Sequence, residues 1–346
     1  MLDVRNYIKE IGRGQKGARD LPRADAQSLF TAILDGQVSD LQLGALLIAL
    51  RVKGESQEEL AGFLAACEAS FAPLDAPAGC IPVVIPSYNG ARRLPNLVPL
   101  LALRLAKDGV PVLVHGVTAD PGRVTTLEVF RSLGIEPSGT AQDAVRRLGR
   151  DKLAFMPLEA LAPKLARLLA LRTQLGVRSS GHTLVKMLNP FRGAALRIVS
   201  VTHPDYLARM REFFCGLPAS DVLLMRGAEG EAVAHPRRRL EIVHIRGGQP
   251  ETRTQAPEGD GAQLLPDLLA DAPVDILPDA LPDALPDALP DALPDALPDV
   301  LPVMPRDAEP TARWIESALA GRVPIPPPIE FQVACVLRAL AGMRAA

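Results

Sequence analysis

The stretch Pro82-Val83-Val84-Ile85-Pro86-Ser87-Tyr88-Asn89-Gly90-Ala91-Arg92-Arg93 decides how this chain of 346 residues is read. Val83 to Ile85 is a short run of β-branched residues, the pattern of a buried strand, and it empties at once into a polar loop. Where a strand ends in a loop ahead of a helix, backbone N–H groups can gather around a phosphate, provided that glycines let the backbone close on it. Here one glycine stands in the loop. Pro86 contributes no N–H, and the bulk of Tyr88 crowds the approach. What is left is a degenerate phosphate site made of Ser87, Asn89, Gly90 and Arg92, to which His115 and Gly116 of a second strand are added, with Arg93 beside the loop.

Working outward from Ile81, short apolar runs alternate with helical ones. Strands are predicted at 83–85, 112–115, 153–156, 197–201, 222–225 and 240–244. Helices are predicted over 97–108 and over 124–133, the second ended by Gly134, with two further stretches over 158–175 and 184–188. That alternation requires a parallel or mixed sheet flanked by helices. Residues 1 to about 72 read differently. Leu29, Phe30, Ile33 and Leu34, then Leu43, Leu46, Leu47 and Leu50, then Leu60, Phe63, Leu64 and Cys67 recur at helical spacing. Asp25 and Ser56 are plausible caps, Ser56 having Glu59 three residues on. At the C-terminal end, 311–320 and 331–343 read as helices, with Trp314 and Phe331 in the core. The expected fold class is α/β: a small all-helical N-terminal domain and a larger α/β domain with a mixed central sheet flanked by helices.

A hydrophobic content of 48% supports one large or two modest cores, while aromatic residues at 4% are too sparse for extended base-stacking platforms. Cys67, Cys80, Cys215 and Cys335 lie far apart. They fit neither zinc spacing nor a disulfide framework and read as reduced thiols of a cytoplasmic protein. The first ten residues lack an apolar core of signal length, and Arg104 breaks the apolar run 97–106, so no membrane segment is expected.

The formal net charge of −2 hides a division. Residues 254–305 hold eleven acids and no Lys or Arg, so the remainder carries +9. A body of that charge favours a polyanionic partner. Within the acidic stretch, Leu-Pro-Asp-Ala is repeated five times from Leu277 and closes with Leu-Pro-Asp-Val at Val300. Proline at every fourth position forbids a helix, and the segment reads as a low-complexity insertion. Two accounts of it stand: a tolerated loop expansion, or an acidic strip that competes with nucleic acid for the basic surface.

Further stretches carry a family resemblance. Residues 32–45 and 49–56, His115-Gly116 after a second strand, and Leu175-Gly176-Val177-Arg178 followed by His182-Thr183-Leu184, Lys186 and Asn189-Pro190 resemble the anthranilate phosphoribosyltransferase and pyrimidine nucleoside phosphorylase family, glycosyl transferase family 3. More narrowly, 85–93, 114–117 and 176–184 resemble its YbiB subfamily, whose members keep the transferase fold and are described as nucleic-acid-binding proteins. The resemblance implies discontinuous domains, 1–75 with 157–188 forming the helical domain and 76–156 with 189–346 the α/β domain. It also implies a homodimer built through the helical domain.

Three anchors of the transferases are altered. Their loop is a Gly-Thr-Gly-Gly-Asp run, of which only Asn89-Gly90 marks the place. Their Lys-His-Gly-Asn run stands here as Val114-His115-Gly116-Val117, without the cation or the amide, so His115 and Gly116 read as strand-end packing. Their magnesium-binding Gly-Leu-Asp-Glu run, placed on Gly230-Glu231-Ala232-Val233, puts Ala232 and Val233 where the carboxylates belong and leaves Glu229 and Glu231 as imperfect substitutes. No hydrolase elbow, zinc-protease helix or P-loop replaces them. No catalytic residue, metal site or cofactor is assigned.

Basic residues supply the other candidates. Arg178, Lys186 and Arg192, with Arg167 and Arg172 nearby, flank the motif that faces the acceptor pocket in the transferases; Lys186 adds a cation there. Arg13, Lys16 and Arg19 lie in a glycine-bearing stretch, either a phosphate-following loop or a solvated linker. Arg209 and Arg211 fall on an expected helix, and Arg237-Arg238-Arg239 reads as an exposed turn. Such contacts to phosphate carry no sequence code. The expected function is sequence-nonspecific binding of DNA or RNA on a degenerate phosphoribosyltransferase scaffold. The alternative is a phosphoribosyltransferase using magnesium and phosphoribosyl diphosphate.

Overall fold

The structure is a computed structural model and describes residues 3–14, 16–217, 220–256 and 307–344. The repeat at 277–300 lies outside the described residues. The chain divides into two compact units, Met1–Asp75 with Leu158–Arg192, and Ala76–Pro157 with Gly193–Ala346.

The first unit is helical. Its N-terminal part holds α1 (Val4–Ile11), α2 (Arg23–Leu34), α3 (Asp40–Lys53) and α4 (Gln57–Ala69). The apolar faces of α2 and α4 meet around Phe30 and Phe63, whose rings stack 4.7 Å apart. The capping box expected from Ser56 and Glu59 is formed, each side chain taking the other's backbone N–H. Glu59 does more than cap. Fully buried, it also accepts from Leu21 N at 3.0 Å and from Lys53 Nζ at 2.6 Å, so the turn before α4 is locked by a paired charge. Asp25, expected as a cap, sits inside the first turn of α2, whose N-cap is Pro22.

The helix expected over 158–175 is three short helices: α8 (Leu158–Leu161), α9 (Pro163–Ala170) and α10 (Arg172–Leu175), numbered along the whole chain. Pro163 is the reason for the first break, since it cannot donate to the preceding turn and forces Ala162 out of helical geometry at φ −140°. The helix expected over 184–188 begins earlier, as α11 (Gly181–Leu184).

The second unit is built on a seven-stranded sheet, β1 (Val83–Ser87), β2 (Val112–Gly116), β3 (Leu153–Pro157), β4 (Leu196–Val201), β5 (Asp221–Arg226), β6 (Glu241–Arg246) and β7 (Gln249–Thr254). Their order is β3-β2-β1-β4-β5-β6-β7, parallel from β3 to β5 and antiparallel across the last two pairs. Every residue of β1 and β2 is buried, as a parallel sheet covered on both faces demands. Helices α5 (Val98–Lys107), α6 (Thr126–Ser132), α7 (Ala141–Arg150) and α12 (Pro204–Cys215) connect the strands. The two C-terminal helices, α13 (Ala308–Leu319) and α14 (Pro327–Arg344), bring Trp314 and Val336 to the core.

Strand β7 corrects the expected insertion boundary. Thr254 pairs with Glu241, and Gln255 is buried with its carbonyl accepting from Arg239, so residues 254–255 belong to the folded unit. The sheet also fixes where function belongs. Strand order reverses between β1 and β4, and in open sheets of this kind ligands bind at the carboxyl ends of the strands flanking that switch point. The loop that follows Ser87 is at that place.

Candidate functional site

The loop after β1 is a ring of backbone donors, and two glutamates of the same chain fill it. Glu231, only 2% exposed, accepts from Asn89 N at 2.6 Å and Gly90 N at 2.8 Å through Oε1, and from the Ser87 hydroxyl through Oε2. Glu229 accepts from Arg93 N at 2.7 Å and Leu94 N at 3.0 Å through Oε1, and from Arg92 N through Oε2. Five backbone N–H groups and one hydroxyl of the 87–94 loop are thereby spent on two carboxylates. Bonds of this charge-assisted kind contribute about 1.5–3 kcal/mol each when buried.

The geometry follows from the segment after β5. Gly227 leads into a 3₁₀ turn at Ala228–Gly230, in which Glu229 has φ 51° and Gly230 φ 80°. The left-handed conformation at Glu229 costs about 1–2 kcal/mol, which the three hydrogen bonds to its carboxylate offset. Gly230 is required for a second reason. A Cβ there would lie 2.0 Å from Asn89 Nδ2, the amide that donates to the Glu229 carbonyl at 3.2 Å. On the loop side, Ala91 and Val124 exchange backbone bonds of 2.9 and 2.8 Å, and the Ser87 and Thr126 hydroxyls lie 2.7 Å apart.

His115 closes the floor of the site. It is fully buried, and its Nδ1 is 2.7 Å from Tyr88 Oη, while Nε2 has no hydrogen-bond partner. Burial pushes its pKa down to about 3, so the ring is neutral. Gly116 beside it is a close-approach glycine, since a Cβ would sit 2.0 Å from the Ser87 carbonyl. Both residues lie where β1 and β2 pair, His115 opposite Pro86 and Gly116 opposite Ser87. Tyr88, read as an obstruction, instead holds the imidazole.

Of the six residues expected at the phosphate site, Ser87, Asn89, Gly90 and Arg92 meet the two glutamates, Arg92 by its backbone, while His115 and Gly116 lie beneath. The glutamates themselves were outside that set. The signal available was the run Gly227-Ala228-Glu229-Gly230-Glu231, two acids spaced by a glycine after a strand. Magnesium does not fit this arrangement, because the carboxylates that would hold it are turned onto N–H donors. Among the described residues no group of three or more His, Cys, Asp or Glu is placed to hold a metal ion.

The basic candidates fall on both units. In the first, Arg178, Arg172 and Lys186 lie near enough to His182 for their charge to oppose its protonation; burial and these cations together lower its pKa to about 4. Arg178 also receives Arg51 Nη1 on its carbonyl at 3.0 Å. Arg192 is exposed and 3.2 Å from Asp75. Arg13 and Arg19 both reach Glu10, at 2.6 and 3.6 Å, and Lys16 is exposed. In the second unit Arg209 lies 5.5 Å from the Tyr206 ring centroid and Arg211 is exposed.

Both of these histidines, His115 and His182, make stability depend on acid, as does His244, whose pKa burial also lowers. Unfolded, each binds a proton below its usual value of 6.5; folded, His115 and His182 stay neutral down to about 3 and 4. Their contribution is complete above that usual value and is lost as the pH falls through the window below it, at about 1.4 kcal/mol per pH unit for each ring. Urea midpoints measured from pH 7 down to pH 4.5 should fall, and less steeply in His182→Asn than in the native chain. Equal slopes would show that His182 is not held neutral.

The comparisons agree with this architecture. Residues 5–70 match the helical bundle domain of the glycosyl transferase family. The chain is 42% identical over 338 residues to the uncharacterized protein YbiB of Escherichia coli K12, covering 97% of this chain and 94% of that one. It is 29% identical over 265 residues to the anthranilate phosphoribosyltransferase of Methylocella silvestris, covering 76% and 75%. Among solved structures, the anthranilate phosphoribosyltransferase of Thermus thermophilus shares the fold at TM-score 0.61 and 23% identity, covering 100% of this chain and 96% of that one. The Saccharomyces cerevisiae enzyme, in complex with PRPP and Mg, does so at TM-score 0.69 and 16% identity, covering 98% and 89%. With a helical bundle, a mixed seven-stranded sheet and a relative of 42% identity along nearly its whole length, the chain belongs to the YbiB-like group of the glycosyl transferase family, on the anthranilate phosphoribosyltransferase fold.

Proposed function

We propose that this chain uses the phosphoribosyltransferase scaffold without the transfer reaction, and that it binds DNA or RNA through phosphate contacts that carry no sequence preference. The observation that supports this reading best is the gathering of Arg172, Arg178 and Lys186 around His182, a concentration of positive charge on the helical unit. Cations grouped in this way attract a polyanion by displacing its counterions, whatever its bases. The loop after β1 supports the first half of the proposal, since its donors are already bonded to Glu229 and Glu231.

A second reading, transfer of a phosphoribosyl group to an aromatic or nucleobase acceptor with magnesium, is favoured by the identity to anthranilate phosphoribosyltransferases. It requires both glutamates to leave the loop before a diphosphate enters. We further propose that the chain is a homodimer through its helical unit. On α3, Leu41, Ile48 and Val52 are 86%, 41% and 61% exposed and lie on one helical face with Gly44, Ala45 and Ala49. Together with Ile8 and Ile11 of α1 they line a groove of about 690 Å³. A second copy of the same apolar face is its expected occupant.

Two experiments check these readings. Retention of a fluorescent oligonucleotide should weaken for all sequences in an R178A/K186A/R192A variant, with a flatter dependence on salt, while calorimetry with phosphoribosyl diphosphate and magnesium stays silent. Normal retention by that variant would refute the binding surface, and measurable diphosphate binding would favour the transferase. In sedimentation, the native chain should run as a dimer and L41E/V52E as a monomer; a native monomer would refute the dimer.

A further inference from the structure

The two glutamates in the β1 loop are placed as a ligand would be. We infer that the Glu229-Gly230-Glu231 turn is a built-in occupant of the 87–94 donor ring, a two-carboxylate stand-in for a diphosphate that keeps added diphosphate off the same donors. This inference is independent of nucleic-acid binding and holds or fails whatever the oligonucleotide experiment returns.

Several observations converge on it. The donors come from a loop some 140 residues away in sequence, so the contact is a tertiary docking and not a local cap. They divide into two sets, three for each carboxylate: Ser87, Asn89 and Gly90 on Glu231, and Arg92, Arg93 and Leu94 on Glu229. Two anionic groups joined by a short link, each met by three donors, is the demand that a diphosphate makes of its binding loop.

The turn is also fixed from behind. Ser200 Oγ donates to the Gly230 carbonyl at 3.0 Å, from the end of β4. Gln332, fully buried on α14, donates through Nε2 to the Ala232 carbonyl at 3.1 Å and accepts from Ala234 N at 2.8 Å. Ala228 N closes the turn onto the Val233 carbonyl at 2.8 Å. A segment held in this way presents its carboxylates as permanent fixtures. An incoming diphosphate finds these six donors taken and meets two like charges.

The test is calorimetry of the full chain with sodium pyrophosphate, without metal. The native protein should give no heat at millimolar pyrophosphate, and E229A/E231A should bind one pyrophosphate per chain at least about tenfold more tightly. As a control for lost negative charge, E309A/E316A changes two exposed glutamates of α13 and should behave as the native chain. The inference is overturned if the folded double variant gains nothing, if the native chain binds pyrophosphate as tightly as the variant, or if the α13 control gains as much. Should circular dichroism show that E229A/E231A does not fold, E229A alone decides. It frees the N–H groups of Arg92, Arg93 and Leu94 and should gain affinity for inorganic phosphate; no gain overturns the inference.

Discussion

The hydrogen bonds from Asn89 N, Gly90 N and the Ser87 hydroxyl to the Glu231 carboxylate organise this end of the sheet. Without an anion there, the buried Asn89 and Gly90 N–H groups at the C-terminal end of β1 would be unpaired, each at a cost of about 1–3 kcal/mol, while the Ser87 hydroxyl would keep Thr126. The loop's conformation is therefore tied to a negative charge, and the chain supplies that charge itself. Much else follows from the same requirement. Glu229 accepts a left-handed backbone, Gly230 can have no side chain, and Gln332 reaches from the C-terminal helix to hold the turn in place.

The scaffold explains why this happens here. The switch between β1 and β4 lies at the carboxyl ends of the strands, where open sheets of this kind bind ligands, and every residue of β1 below it is buried. A fold with such a switch point hosts many functions, so family membership by itself does not carry an activity. On the helical unit, Arg172, Arg178 and Lys186 lie near enough to His182 to add to the effect of burial in keeping that ring neutral.

The strand and loop around Ser87 were legible in the sequence because apolar β-branched runs and a polar break are local signals. So was the capping box at Ser56 and Glu59. Strand β7 was not, because Gln-Pro-Glu-Thr-Arg-Thr is an exposed edge with no apolar alternation, fixed by its pairing to β6. Helix α7 was legible but went unread: Ala141, Ala144, Val145 and Leu148 recur at helical spacing behind the Thr140 cap. The Pro163 break within 158–175 could have been anticipated from the missing donor. The two glutamates show the deeper limit. Their partners are backbone N–H groups, which have no letter in the sequence, and matching the run to a magnesium motif set them aside as poor metal ligands.

Amide hydrogen exchange of the native chain, resolved at Asn89, Gly90, Arg92, Arg93 and Leu94, tests the central claim most directly. If Glu229 and Glu231 hold these groups, the five amides exchange slowly without any ligand, and pyrophosphate leaves their rates unchanged. Fast exchange that slows on adding pyrophosphate would show an open cradle and contradict the account.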